Sequence, residues 1–350
     1  MTLLHATKIS GIPGTGITKT SISRNCHPER SSSRTLRTAQ SKDLHFLLPL
    51  LVLLLAISSS AQKPPAPAHF SGQAAYSLTA QLLQVAPKRF NGSPGHLKAE
   101  EFIKQHFAAE AAKGNLETDT FTATTPAGLQ TMRNYIVKYP GKKDGIIVLA
   151  SHYETNYPLR DIEFYGANDG AATTALLIEI GNVLRAHPPE GYSVWLVFDD
   201  GEEAVKSWTA SDSLYGTRHL AAKWSNDGTL AKIKAFLVAD MCADKDLNID
   251  HVDNSTPWLL DVLKVAAKNT GHSAYIFKYN ESEEDDHLPF AQRGVPVLDV
   301  IDAHYGPSTE QTPDGYHHTA QDTLDKISAK SLQISGDLFL EMIRLINQRP

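Results

Sequence analysis

The sequence has few cysteines, with only Cys26 and Cys242 in 350 residues. Two cysteines so far apart establish no disulfide framework and exclude a zinc site built from thiolates. We expect Cys242 to be a small buried hydrophobic residue.

Basic charge is also scarce beyond the first part of the chain. Residues 1–43 contain seven Lys and Arg against two Asp and Glu, a net charge of +5. Because the whole chain carries −6, −11 is left for the remaining residues. An acidic body offers no surface for a phosphate backbone, so nucleic acid is excluded as a partner.

Long hydrophobic runs are limited to one twelve-residue stretch, Phe46–Ile57. This run is shorter than the roughly 20 residues of a membrane-spanning helix. Basic residues precede it, and Ser59 and Ala61 suit a signal-peptidase site. We therefore predict a signal peptide at 41–61 and an exported protein, secreted or periplasmic. The alternative is a membrane anchor that is never cleaved.

The flanking segments divide the chain into further parts. Residues 1–40 are rich in Ser, Thr and Arg and lack apolar periodicity, so we expect a leader that is disordered or precedes the true start. Residues 62–69 are rich in Pro and Ala and are interpreted as a stiff linker. Residues 70–350 are then predicted to form a single catalytic α/β domain.

Within that body, buried strands alternate with amphipathic helices. Gly145–His152 and Ala235–Asp240 are continuous apolar runs typical of strands buried on both faces. Asp169–His187 has the length and spacing of a helix. This alternation predicts a three-layer sandwich with a mixed, mostly parallel central sheet flanked by helices.

Polar residues follow the predicted strands, where ligands bind in open α/β sheets. Taken singly, each is more simply a helix cap or a hydrogen-bonded histidine. Their joint occurrence at successive strand ends instead favours a site. These residues are His152, Asp169, Glu202, Glu203, Asp240 and His318.

Two adjacent carboxylates stand out in "SVWLVFDDGEEAVKSW", Ser193–Trp208. Glu202 and Glu203 should repel each other directly after a buried strand. A cation that neutralises Glu203 would allow Glu202 to remain nearby as a general base. Carboxylates mixed with imidazoles suit a catalytic zinc ion that keeps a position open for substrate.

Two longer motifs carry a family resemblance. "DGEEAVKSWTASDSLYGTRHLAAKW" (Asp200–Trp224) and "DDHLPFAQRGVPVL" (Asp285–Leu298) closely resemble the animal-type glutaminyl-peptide cyclotransferases, within the zinc aminopeptidase-like family. The likeness covers residues 75–347. It implies cyclisation of N-terminal glutamine to pyroglutamate with loss of ammonia, acting on peptides or proteins that begin with Gln.

The resemblance also implies the metal and its ligands. One zinc ion is expected, held by Asp169, Glu203 and His318, and it would polarise the γ-carboxamide oxygen. Glu202 would carry the proton from the attacking α-amine to the leaving ammonia.

The remaining roles likewise follow from the resemblance. Asp240 and Asp285 would hydrogen-bond around the reacting centre, and Trp208 would line the glutamine pocket. His317 stands where the animal enzymes have tryptophan, so it is a substrate-binding candidate. His152 and Asp240 match the second zinc site of related aminopeptidases, so a second metal is not excluded.

A further departure from the family concerns the loop before His318. Residues 302–317 form a longer loop than in the family. Its Tyr305 and Tyr316 either replace the lost aromatic wall of the pocket or simply pack within the protein.

The alternative function is a secreted two-zinc aminopeptidase, in which Glu202 activates a water molecule. A non-catalytic binding domain ranks last, because no ligand type is missing. We expect a monomer.

Overall fold

A computed structural model describes residues 69–349. The predicted leader at 1–40 and signal peptide at 41–61 lie outside these residues, as does the predicted linker at 62–69 except for its last residue. The boundary of the catalytic domain at residue 70 stays a prediction.

Eight strands form two sheets. The strands are β1 (Leu116–Thr125), β2 (Gly128–Tyr139), β3 (Lys143–His152), β4 (Tyr192–Asp199), β5 (Ile233–Asp240), β6 (Ile249–Val252), β7 (Ile276–Glu281) and β8 (Val297–Ile301) within the described residues. A six-stranded sheet forms the centre, with the strand order β1-β2-β4-β3-β5-β8. The β3, β4, β5 and β8 strands run parallel, and the antiparallel β1–β2 hairpin extends the sheet beside β4. A separate two-stranded parallel sheet pairs β6 with β7.

Helices cover both faces of the central sheet. The helices are α1 (Gly72–Val85), α2 (Pro94–His106), α3 (Ala108–Ala111), α4 (Thr173–Ala186), α5 (Tyr215–Asn226), α6 (Pro257–Thr270), α7 (Leu288–Ala291) and α8 (Ala329–Ile346). The α1, α4, α6 and α8 helices share one hydrophobic core, and α5 and α7 contribute to the other.

Strand β3 shows why the sheet is buried on both sides. Ile147 and Leu149 point into the first core, whereas Val148 and Ala150 point into the second. All four are fully buried, because in a strand successive side chains face opposite ways. The predicted sandwich with a mixed, mostly parallel sheet is confirmed, and Cys242 is buried as expected.

Some element boundaries differ from the expectations. The helix predicted from Asp169 begins only at Thr173, after a π-helical turn, Ala167–Ala172, in which Gly170 has a positive φ of 88°. The first helix, α1, begins at Gly72, where the Ser71 side chain caps it by accepting a hydrogen bond from Ala74 N. Strand β6 was not predicted, since four residues give too little periodicity.

None of the helices within residues 69–349 combines the length and the apolar character that crossing a membrane requires.

Candidate active site

The predicted site residues converge at one edge of the central sheet. The carboxyl ends of parallel β3, β4, β5 and β8 meet at this edge. His152 and Asp240 are the last residues of β3 and β5. Glu202 and Glu203 follow β4, and His318 lies in the connection between β8 and α8. The structure therefore brings these residues together as the strand-end argument predicted, and their functional roles stay a prediction.

Three of these side chains approach one another closely. His318 Nε2 lies 3.0 Å from Glu203 Oε1 and 3.4 Å from Asp169 Oδ2. Both carboxylates are almost completely buried, whereas a third of the His318 side chain is exposed. A single imidazole nitrogen thus faces two carboxylate oxygens at an opening to solvent.

The local backbone is built to hold this arrangement. Asp169 sits in the π-helical turn, and its backbone N–H and that of Asn168 donate to the carboxylate of Asp322 at 3.2 and 2.8 Å. His318 has a positive φ of 53°, which is uncommon for a residue other than glycine. Such strained positions concentrate at functional sites.

Sequence reasoning missed the support that Asn156 and Glu154 give to Glu203. Asn156 Nδ2 donates to Glu203 Oε2 at 2.6 Å, and Glu203 N donates to Glu154 Oε1 at 3.1 Å. Both residues are buried within four positions of the end of β3. The strand-end rule, applied to the four residues after each strand, would have found them.

The donor set fits a metal ion. Burial disfavours the protonated form of His318. Glu203 and Asp169 nevertheless raise the pKa of His318 to about 11. The carboxylates thus hold a proton on this imidazole that a divalent cation would replace. Asp169 Oδ2 receives no hydrogen bond of normal geometry from the described residues. Two carboxylates and one imidazole are ligands suited to zinc.

A second donor group adjoins the first. His152 Nε2 lies 3.2 Å from Asp169 Oδ1 and 3.3 Å from Asp240 Oδ1. Burial opposes its charge, but these carboxylates raise the pKa of His152 well above its ordinary value. Asp169 therefore lies between His318 and His152, so the residues of a possible second metal position are in place.

Glu202 is buried and differs electrostatically from its neighbour. Burial and the nearby charge of Glu203 raise the pKa of Glu202 well above its usual range. Burial and Asp240 do the same to the pKa of Asp285. A carboxyl group with a raised pKa can both accept and return a proton near neutral pH.

The cavity at this edge has a volume of about 500 Å³, and Glu202, Trp208 and His317 are among the residues that line it. Trp208 is 37% exposed, and its Nε1 donates to Glu284 Oε2 at 2.9 Å. The His317 ring lies against the His318 ring, with 3.9 Å between centroids. His317 thus forms part of the cavity wall, and its substrate-binding role stays a prediction.

The loop tyrosines do not replace the aromatic wall. Tyr305 is fully buried and donates from its hydroxyl to Asp322 Oδ1 at 2.6 Å. Tyr316 packs edge-on against Tyr305, with ring centroids 5.4 Å apart. Of the two readings of these residues, packing is the one observed, and Tyr305 supports the carboxylate that holds the turn of Asp169.

Comparison with known proteins gives consistent relatives. The model of peptidase family M28 matches residues 134–343. The chain is 32% identical over 255 residues to a glutaminyl-peptide cyclotransferase-like protein of Bos taurus, covering 65% of each chain. It is 30% identical over 281 residues to a glutaminyl-peptide cyclotransferase of Boiga irregularis, covering 71% of this chain and 76% of the relative.

Solved structures extend the comparison. An Acidobacteriales bacterium glutaminyl cyclase superposes with a TM-score of 0.80 at 77% identity, covering 81% of this chain and 97% of the other. A zinc-dependent exopeptidase from Parabacteroides distasonis superposes with a TM-score of 0.68 at 20% identity, covering 81% of this chain and all of the other. This second likeness concerns the fold alone.

Proposed function

The chain belongs to peptidase family M28 and, within it, to the glutaminyl-peptide cyclotransferases, and on this premise we propose that it converts the N-terminal glutamine of peptides and proteins to pyroglutamate with release of ammonia. The observation that carries the proposal is the position of Glu202 beside the Asp169, Glu203 and His318 cluster, in a cavity with Trp208 on its wall.

Asp169, Glu203 and His318 are the proposed metal ligands. A zinc ion bound there would supply Lewis acidity to the γ-carboxamide oxygen of the substrate glutamine. Asn156 and Glu154 would keep Glu203 oriented through their hydrogen bonds to its carboxylate and backbone N–H.

Glu202 is the proposed proton carrier. It would accept a proton from the α-amine as that nitrogen attacks the side-chain carboxamide carbon, Cδ, and would return the proton to the amide nitrogen as the Cδ–N bond breaks and ammonia leaves. The raised pKa of Glu202 supports both transfers. Because amine and carboxamide belong to one residue, orientation within the cavity can supply much of the rate enhancement.

The remaining residues of the cavity would position the substrate. Trp208, held by Glu284, offers a flat apolar surface for the glutamine side chain. His317 would form the facing wall. Asp240 and Asp285 would hydrogen-bond around the carbon under attack, and burial and the nearby Asp240 raise the pKa of Asp285 well above its usual range.

Aminopeptidase activity is the alternative, and one observation favours it. His152 Nε2 lies 3.2 Å from Asp169 Oδ1 and 3.3 Å from Asp240 Oδ1, so these three residues could hold a second zinc ion. In that case Glu202 would activate a water molecule for peptide hydrolysis. The named cyclotransferases among the relatives support the first proposal instead.

A paired substrate assay tests both functions. A Gln-initiated and a Leu-initiated peptide are incubated with the enzyme, with and without chelator, while mass and ammonia are measured. We expect the Gln peptide to lose one ammonia and the Leu peptide to remain intact, and chelation to abolish the reaction. Release of free leucine with an uncyclised Gln peptide would instead establish the aminopeptidase.

We further propose that the protein is exported after cleavage behind Ala61 and acts as a monomer. The support is the apolar run at Phe46–Ile57 and the small residues that follow it. Mass spectrometry of the native N-terminus and light scattering of the purified protein test the two statements. A retained Phe46–Ile57 segment would favour the membrane-anchor alternative.

A further inference from the structure

We propose that Asp250, Asp302 and His304 form a separate divalent-cation site, outside the catalytic cleft. This inference does not rest on the proposed enzymatic function. It concerns a cluster where the small β6–β7 sheet meets the chain leaving β8.

The three residues come from two segments that the fold brings together. Asp250 lies on β6, and Asp302 and His304 follow the end of β8. Asp250 Oδ2 lies 3.4 Å from His304 Nδ1. One potential ligand atom from each residue lies within 4.8 Å of the other two. Ligands bound to one zinc ion at 2.0–2.2 Å lie at most about 4.4 Å apart, so small side-chain shifts would complete the site.

Asp250 carries the most direct sign of a missing partner. The residue is completely buried, and its Oδ1 atom receives no hydrogen bond from the described residues. Its Oδ2 accepts one from Ala303 N at 2.9 Å. A buried carboxylate oxygen without a donor is costly, and a cation would satisfy it.

The opening to solvent also fits a metal site. Asp302 and His304 line a cavity of about 510 Å³, which gives an ion access from outside. Ala303, between them, instead lines the catalytic cavity. The segment is thus a shared wall, with alternate residues facing the two cavities.

The ligand types indicate the class of ion. One imidazole and two carboxylates suit Zn²⁺ or Mn²⁺ better than Mg²⁺ or Ca²⁺, which prefer oxygen-only ligands. His304 is held in place by Tyr279, with 3.8 Å between the stacked ring centroids. Bound there, an ion would connect β6 to the segment that carries Ala303 and so brace the wall of the catalytic cavity.

Metal content tests the proposal. The full chain is stripped with chelator, dialysed against Zn²⁺, and its zinc is counted per chain by mass spectrometry. We expect Asp250→Asn and His304→Ala each to lower the count by about one equivalent. His251→Ala is the matched control, because this neighbouring histidine pairs with Asp253 at 2.9 Å outside the cluster, and it should leave the count unchanged.

Further variants separate this site from the catalytic one. His318→Ala should lose a different equivalent, so the double variant with Asp250→Asn should lose two. His304 is 39% exposed as a side chain, so its replacement tests the site even where Asp250→Asn fails to fold. Folded Asp250→Asn and His304→Ala with wild-type zinc content would overturn the proposal. Because zinc is counted directly, an enzyme without cyclotransferase activity would still test it.

Discussion

Glu202 and Glu203 are adjacent in sequence but have different surroundings in the structure. Glu203 faces the His318 imidazole and accepts a hydrogen bond from Asn156. Glu202 has a raised pKa because it is buried beside that charge. The division of roles, with Glu203 proposed as metal ligand and Glu202 as proton carrier, thus follows from the neighbours of each residue rather than from residue type.

Replacing Glu202 tests that division. We expect Glu202→Gln to lower kcat by about 10²- to 10⁴-fold, the usual contribution of a general acid–base group. Its zinc content should stay at the wild-type value, because the proposed ligands are untouched. Ammonia release and metal analysis give the two readouts.

Glu163→Gln is the matched control for this replacement, since Glu163 is exposed and its carboxylate contacts Lys88 Nζ and the Tyr165 hydroxyl, each at 2.9 Å. It should retain wild-type turnover. A Glu202→Gln enzyme with nearly normal kcat would remove Glu202 from the proposed mechanism.

Asn156 provides a second test at the residue scale. Asn156→Ala removes the 2.6 Å hydrogen bond to Glu203 Oε2. Loss of a partner that orients a metal ligand typically lowers metal affinity about 10- to 100-fold. Competition with a chromogenic chelator should therefore show weaker zinc binding, with kcat partly restored by excess zinc. Unchanged zinc affinity would show that Glu203 needs no such support.

At the scale of elements, the turn before α4 decides where Asp169 points. Gly170 has a φ of +88°, and a Cβ there would lie 2.9 Å from His152 Cε1. An alanine at position 170 would thus strain the backbone and displace the His152 side chain.

Alanine substitution at two glycines separates these effects. Gly228 has a φ of +80° but nothing within 4 Å of a new Cβ, so Gly228→Ala should cost only the left-handed backbone penalty of about 1–2 kcal/mol. Gly170→Ala should destabilise the protein more and should also lower activity. Denaturant unfolding measures stability and ammonia release measures activity. Equal unfolding free energies for the Gly170→Ala and Gly228→Ala variants would exclude the predicted clash with His152.

Element by element, the sequence was most informative where burial is periodic. Strand β3 was predicted to within two residues at its start, and helix α4 to within one residue at its carboxyl end, because their apolar residues face a core. Strand β6 and the π-helical turn could not be predicted, since the first is too short and the second depends on contacts with Asp322. The cluster of site residues was predictable from strand ends, whereas the support from Asn156 required the fold.

At the scale of the whole molecule, the acidic body extends into the cleft. The cavity is lined by many carboxylates, and among residues 69–349 neither lysine nor arginine contributes to its lining. Not all of these groups would be charged beside a bound zinc ion, but Glu284 and Asp314 lie at the exposed rim.

This charge predicts a substrate preference. We expect peptides beginning Gln-Lys to have a several-fold lower KM than peptides beginning Gln-Glu at low ionic strength. The difference should shrink toward 1 M salt, where the screening length falls to about 3 Å. Asp314→Asn should also reduce it. Identical KM values for the two peptides at all salt concentrations would contradict the prediction.

The chain positions of the three proposed ligands have a consequence for the timing of activity. Asp169, Glu203 and His318 are contributed in order along the chain, and the last follows the final strand of the sheet. A nascent chain therefore lacks the imidazole until its synthesis has passed residue 318. Whatever partial structure forms earlier, the complete ligand set arises only after that point, so the chemistry of this protein waits for the segment that follows the last strand of the sheet.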